Sequence, residues 1–194
     1  MIDHVVVDVE IKKTIEETPG GWESTDKLGV STAVVYEFKS DRFLVYGDTE
    51  EELKELQERL KSADKISGFN IWKFDFPVIF GLPGRGRVET LRTKTNDILR
   101  RIWRDKGLDP DSFSKSHGGY KLDDIALRLF GRGKVANGAQ APMMYQHGQW
   151  GRLVNYCIDD VKLERDLTIF VEEHGFIIGR DGDVVWMNNS KWSA

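Results

Sequence analysis

His4-Val5-Val6-Val7-Asp8-Val9-Glu10 is the stretch on which the fold of this chain turns. Together with Ile2 it reads as a buried strand over Ile2–Val9. Branching at Cβ favours extended backbone, and a run without polar breaks leaves no solvent face. Asp8 and Glu10 close the run. Strand side chains alternate, so residues two apart point to one face. The pair therefore sits at a strand end, where α/β proteins place their ligands. Ionised side by side, the two carboxylates repel. Hard divalent cations prefer oxygen donors and relieve that repulsion. Taken alone, such a pair at a strand end is usually only solvated.

Outward from this strand the chain alternates strands and helices. Residues 11–28 are polar around Pro19-Gly20-Gly21 and read as a loop excursion. Val30–Phe38 and Arg42–Tyr46 read as strands joined by a turn at Lys39-Ser40-Asp41. Thr49 and Glu52 form a capping box, with Leu53, Leu56 and Leu60 at helical spacing behind it. Lys65–Phe69 is a short strand, and Asn70–Gly81 carries a short helix closed by Gly81. Gly81 to Arg87 is a loop. Thr95–Lys106 is predicted as a basic helix ended by Gly107, and Asp123–Phe130 as another ended by Gly131. Residues 131–149, rich in Gly and Ala, read as a loop. Trp150–His174 reads as one long helix stopped by Gly175. Ile177 and Val184-Val185-Trp186 flank Arg180-Asp181-Gly182-Asp183 as a hairpin. The pattern predicts an α/β domain around one mixed central sheet flanked by helices.

Composition narrows the class. The 194 residues suffice for one globular domain, and 40% hydrophobic with 31% charged residues suits a folded rather than a disordered chain. No apolar run approaches the ~18 residues of a membrane span, and the N-terminus lacks the pattern of a signal peptide. A cytoplasmic location and no membrane partner are the expectation. The single cysteine, Cys157, excludes an internal disulfide framework and a cysteine-based zinc site. The net charge of −4 opposes a polyanionic partner until two divalent cations are counted against it. Between Gly84 and Lys106, Arg85, Arg87, Arg92, Lys94, Arg100, Arg101, Arg104 and Lys106 outnumber Glu89, Asp97 and Asp105. That cluster is a candidate phosphate-contacting surface, or else a solvated helix face. The loops at Gly81–Arg87 and Gly131–Lys134 match neither a Walker A nor a dinucleotide pattern.

Two further fragments bear carboxylates. Asp75 ends Asn70-Ile71-Trp72-Lys73-Phe74-Asp75 at a strand-to-helix junction, where Phe74 and Phe76 would fix its direction; a plain helix cap is the alternative. Tyr156 and Asp160 lie at i and i+4 on the long helix and share a face. Leu153, Val154, Cys157, Val161 and Leu167 supply packing around them, and Cys157 is expected as a buried thiol beside the site.

An Asp-x-Glu on the first strand, an Asn-x-x-x-Phe-Asp after a later strand and a Tyr-x-x-x-Asp on a late helix, in this order, resemble the DEDD (DnaQ-like) 3′–5′ exonuclease superfamily. Tyr156, with Asn155 where the histidine branch would carry its histidine, points to the tyrosine type. Tyr120 to Gly131, followed by Lys134, is similar to the segment before the third motif in exonuclease domains of family B DNA polymerases. The resemblance covers roughly residues 2–173, and Ile11-Lys12-Lys13-Thr14 departs from the small or hydroxyl residues that commonly follow the first motif.

The resemblance implies an RNase H-like domain over residues 1–175, with 176–194 as a C-terminal extension packed on it. It implies a site of two Mg²⁺ or Mn²⁺ ions held by Asp8, Glu10, Asp75 and Asp160, with Tyr156 orienting the attacking water. Ile11, Asn70, Trp72, Phe74, Arg100 and Arg101 are the candidate substrate contacts. The implied substrate is the 3′ end of a single-stranded nucleic acid, DNA favoured. The chain carries no polymerase or helicase motifs, so a polymerase, helicase or repair protein would be a partner in trans. An endonuclease on the same fold, or a non-catalytic nucleic-acid-binding module, are the alternatives.

Overall fold

The computed structural model describes residues 2–83, 87–111, 115–134 and 138–187. The valine run forms β1 (His4–Ile11). One edge of β1 pairs antiparallel with β2 (Val30–Glu37), which pairs antiparallel with β3 (Arg42–Tyr46). The other edge runs parallel to β4 (Lys65–Gly68), which runs parallel to β5 (Thr95–Asp97). The result is one mixed five-stranded sheet in the order β3-β2-β1-β4-β5.

β1 is central, so both its faces are covered, which is why its sequence shows no polar alternation. Val5, Val7, Val9 and Ile11 enter a core shared with Leu56 and Leu60 of α1 (Glu50–Ser62) and Phe76 and Ile79 of α2 (Asp75–Ile79). Val6 faces the other way. It packs with Val34 and Tyr36 of β2 against Cys157 and Val161 of α6 (Trp150–His174). Burying each of these valines contributes about 1.5–3 kcal/mol. The two-residue period then puts Asp8 and Glu10 on the α6 face. A second core joins Ile98 and Ile102 of α3 (Ile98–Asp105), Ile125 of α4 (Leu122–Phe130) and Leu167 and Val171 of α6. Ile177 of β6 (Phe176–Ile178) and Val185 of β7 (Val184–Trp186), the paired strands of the predicted hairpin, pack into this same core.

Local signals set several boundaries. Thr49 caps α1, its hydroxyl accepting from the Glu52 N–H at 3.2 Å while the Glu52 carboxylate accepts from that hydroxyl at 2.7 Å, an arrangement worth about 1 kcal/mol. Gly175, at φ 73°, ends α6 in the left-handed conformation that glycine tolerates.

Two expectations are corrected. Thr95–Lys106 is not one helix: Thr95–Asp97 is strand β5, and α3 starts only at Ile98. Asp97 holds extended backbone and its carboxylate accepts the Arg100 N–H, so it is the cap where strand becomes helix. Residues 131–149 are not all loop, since Ala141–Gln146 forms α5. Pro142 lies in its first turn, where a missing N–H does no harm, and Ala141 and Met144 are buried beneath it. Among the described residues no helix is long and apolar enough to cross a membrane.

Candidate active site

At the carboxyl end of β1 the strands stop pairing at different points. β4 matches β1 only as far as Val6, and a register shift between Glu10 and Ile11 marks a bulge against β2. Bulges of this kind re-aim side chains next to functional sites. The Val9 N–H, left without a β4 partner, is taken up by Asp75 Oδ1 at 3.0 Å. One hydrogen bond thus ties the second acidic fragment to the first. Asp75 is the first residue of α2, after its cap Phe74.

The turn that delivers Asp75 is held from the far side. Asn70 has a left-handed φ of 69°, which asparagine accepts more readily than most residues. The Asn70 N–H donates to Asp97 Oδ1 and the Trp72 N–H to Asp97 Oδ2, both at 3.0 Å. Asp97 therefore clamps the turn as well as capping α3. In the sequence it counts only as one acidic residue within a basic run.

Helix α6 supplies the rest. Leu153, Tyr156, Cys157, Asp160, Val161, Glu164, Leu167, Thr168 and Val171 make its buried stripe. Cys157 is buried as expected, its Sγ 3.6 Å from both Asp8 O and Asp8 Oδ2. Asp160 is 1% exposed, and its Oδ2 accepts from Lys134 Nζ at 2.5 Å. The ammonium also lies 5.9 Å from the Tyr156 ring centre. Lys134 is aimed inward by its own backbone, whose N–H donates to Asp123 Oδ1 at 2.6 Å.

Asp8, Glu10, Asp75, Lys134 and Tyr156 line one cleft of about 760 Å³ together with Ile11, Thr14, Ile15, Glu16, Trp22, Asn70, Phe74, Lys121 and Pro142. Asp160, 1% exposed, is not among the lining residues and is linked to them by the bond to Lys134. The 11–28 excursion is thus a wall of the site rather than an appendage. Trp22 stands edge-on to Phe74 at 6.0 Å. Glu164, to which the three motifs give no role, also lines the cleft. A signal for it existed: it interrupts the apolar stripe of α6 one turn after Asp160.

Of the candidate substrate contacts, Ile11, Asn70 and Phe74 line the cleft. Trp72 does not: at 2% exposure it is a core residue, edge-on to Phe76. Arg100 and Arg101 are also corrected. They are 4% and 2% exposed, with Arg100 donating to Pro110 O and Asp111 and Arg101 to Asn96 Oδ1. Their buried guanidiniums cannot reach a phosphate chain. The wider basic cluster is largely committed to internal contacts. Arg87 pairs with Asp111, Lys94 bonds the carbonyls of Lys61 and Ala63, and Lys106 pairs with Asp183. Arg85 lies outside the described residues.

Burial and mutual repulsion raise the carboxyl groups of the site above their ordinary range. Burial, and then repulsion from Asp160, push Asp8 up to about 7. Burial followed by Asp8 raises Glu10 and Asp75 well above the carboxylate range. Burial raises Asp160 too, and Lys134 partly opposes this. Burial would lower Lys134, but Asp160 and Asp8 outweigh it and keep the ammonium charged. Tyr156 and Cys157 are both raised, chiefly by burial, so each keeps its proton. Asp8, Glu10 and Cys157 bring their ligand atoms within 4.8 Å of one another. With the thiol protonated, the donors are carboxylate oxygens. Asp160 Oδ1 is buried and accepts no hydrogen bond among the described residues. An oxygen-rich, over-acidic pocket of this kind fits a hard divalent cation.

Among curated proteins none matches the sequence. A family B DNA polymerase from the hyperthermophilic archaeon Pyrobaculum calidifontis is similar in fold, with a TM-score of 0.62 at 15% identity over 89% of this chain. The chain spans 25% of that polymerase's length. The family model of the RNase H superfamily matches residues 17–168. With that match over most of its length, the chain belongs to the RNase H superfamily.

Proposed function

We propose that this protein is a 3′–5′ exonuclease of the tyrosine-type DEDD class, removing nucleotides from the 3′ end of a single-stranded nucleic acid. The observation that carries this reading is the convergence of carboxylates from three distant segments on one cleft. Asp8, Glu10 and Asp75 line it with Tyr156, and Asp160 is bonded to the Lys134 that lines it. Mg²⁺ or Mn²⁺, two ions per site, would supply positive charge to the attacking and leaving oxygens.

The chain's own residues do the rest. Asp8, whose ligand atoms lie near those of Glu10, would be the carboxylate shared between the cations. Glu10 and Asp160 would help hold one cation, and Asp75, fixed by the Val9 N–H, would hold the other. Tyr156 Oη makes no hydrogen bond of ordinary geometry among the described residues, but its hydroxyl faces Asp160 closely enough to lower that carboxyl; Tyr156 and Asp160 together would orient the attacking water. The oxygen of that water joins phosphorus as the P–O3′ bond breaks. The water gives up a proton to solvent, the departing 3′ oxygen takes one up from solvent to end as a hydroxyl, and the product is a nucleoside 5′-monophosphate. Trp22 and Phe74 offer aromatic surface for terminal bases, which a sequence-tolerant enzyme can use.

The test is digestion of 5′-labelled DNA and RNA oligonucleotides with Mg²⁺ or Mn²⁺. A ladder shortening one nucleotide at a time, stopped by chelator and by Asp160→Asn, is the expected result. Internal fragments would make the enzyme an endonuclease. No metal-dependent cleavage would leave a binding module.

A further inference from the structure

Among the described residues, Glu164 is the one carboxylate buried at the cleft for which the four-acid reading has no use. It is 2% exposed, it lines the cleft, and its Oε2 accepts no hydrogen bond among the described residues. A buried carboxylate oxygen without a partner is expensive, by about 1–3 kcal/mol even when neutral and more when charged. Glu164 lies one helical turn after Asp160, on the same face of α6. Its strongest electrostatic neighbours are Asp8 and then Asp75. Gly68 at the end of β4 borders it: a Cβ there would collide with Ile71 Cγ2, crowd the Val7 carbonyl and stand 3.2 Å from Glu164 Oε2. Glu164 Oε2 thus lies tightly packed beside β4 with no hydrogen-bond donor among the described residues.

We infer that Glu164 is a fifth acidic member of the metal centre, an outer carboxylate adding charge and an acceptor behind the position shared by Asp8 and Asp75. Set against Lys134, five carboxylates leave the charge that two divalent cations neutralise. Glu164 is a positioning residue: like Asp75 and Asp160 it lies outside the tight cluster of ligand atoms from Asp8, Glu10 and Cys157, and unlike them it belongs to none of the three acidic motifs. The inference rests on the metal-site reading above.

The experiment is calorimetric titration of Mn²⁺, without nucleic acid, into the wild type, Glu164→Gln and Asp160→Asn, beside melting curves in chelator. Glutamine keeps the shape and removes the charge. Glu164→Gln should weaken Mn²⁺ binding roughly ten-fold or more, the effect typical of groups that support ligands, and should melt in chelator no lower than the wild type. A wild-type isotherm from a folded Glu164→Gln overturns the inference while leaving the metal site standing. Lower melting in chelator with unchanged Mn²⁺ affinity makes Glu164 structural and also overturns it. Absence of Mn²⁺ binding by the wild type overturns both readings.

Discussion

Replacing Asp8 by asparagine should make the metal-free protein more stable, and increasingly so as the pH rises. Burial and Asp160 hold the folded Asp8 carboxyl at about 7, against an ordinary 3.8. The folded pKa is the higher one, so between these values the folded protein binds more protons than the unfolded chain. Stability that is fully present below pH ~4 is then lost as the pH climbs through 7. At 1.36 kcal/mol per pKa unit the loss from Asp8 alone is under about 2 kcal/mol at pH 5 and roughly 4 kcal/mol at pH 8. An amide cannot ionise, so Asp8→Asn escapes this loss. For a domain of this size 1 kcal/mol moves the midpoint by about 2–4 °C. The gap between variant and wild type should therefore widen by roughly 5–10 °C from pH 5 to pH 8. The assay is thermal unfolding in chelator across that range. Adding Mn²⁺ at pH 8 should raise the wild-type midpoint and leave Asp8→Asn much less affected. Parallel melting profiles from pH 5 to pH 8 would show that Asp8 is not held protonated by its surroundings, and the reasoning would fail.

Two further outcomes are expected. Tyr156→Phe should lower single-turnover rates 10-fold or more with little change in substrate affinity, because its hydroxyl faces the cleft beside Asp160, where it would orient a water; rates equal to wild type would make Tyr156 a packing residue. Asp97→Asn should cost about 1–3 kcal/mol in denaturant unfolding, since an amide oxygen cannot replace both acceptors that hold the Asn70 and Trp72 N–H groups. It should also slow turnover by loosening the turn that carries Asp75, and unchanged stability would remove Asp97 from this role.

Where the sequence was legible, the determinant was local or periodic. The valine run needed only β-branching and alternation to announce both a central strand and two carboxylates on one face. The Thr49 box and the Gly175 stop act within a few residues of themselves, and α1 and α6 begin and end accordingly. The Asp8–Glu10 pair, Asp75 and Asp160 could be singled out because each is an acid at a position where pattern leads one to expect packing or a junction.

What only tertiary structure decided depends on partners remote in sequence. Three-residue β5 exists because β4 lies beside it, and nothing within Thr95-Asn96-Asp97 separates it from a helix start. Arg100 and Arg101 turn inward because Pro110, Asp111 and Asn96 meet them there, whereas charge counting could see only a basic stretch. Lys134 reaches Asp160 across 26 residues, and the excursion becomes a cleft wall only when it folds over β1. Side-chain type and period are written in neighbouring residues, but which charges share a low-dielectric pocket is fixed by contacts between segments far apart in the chain.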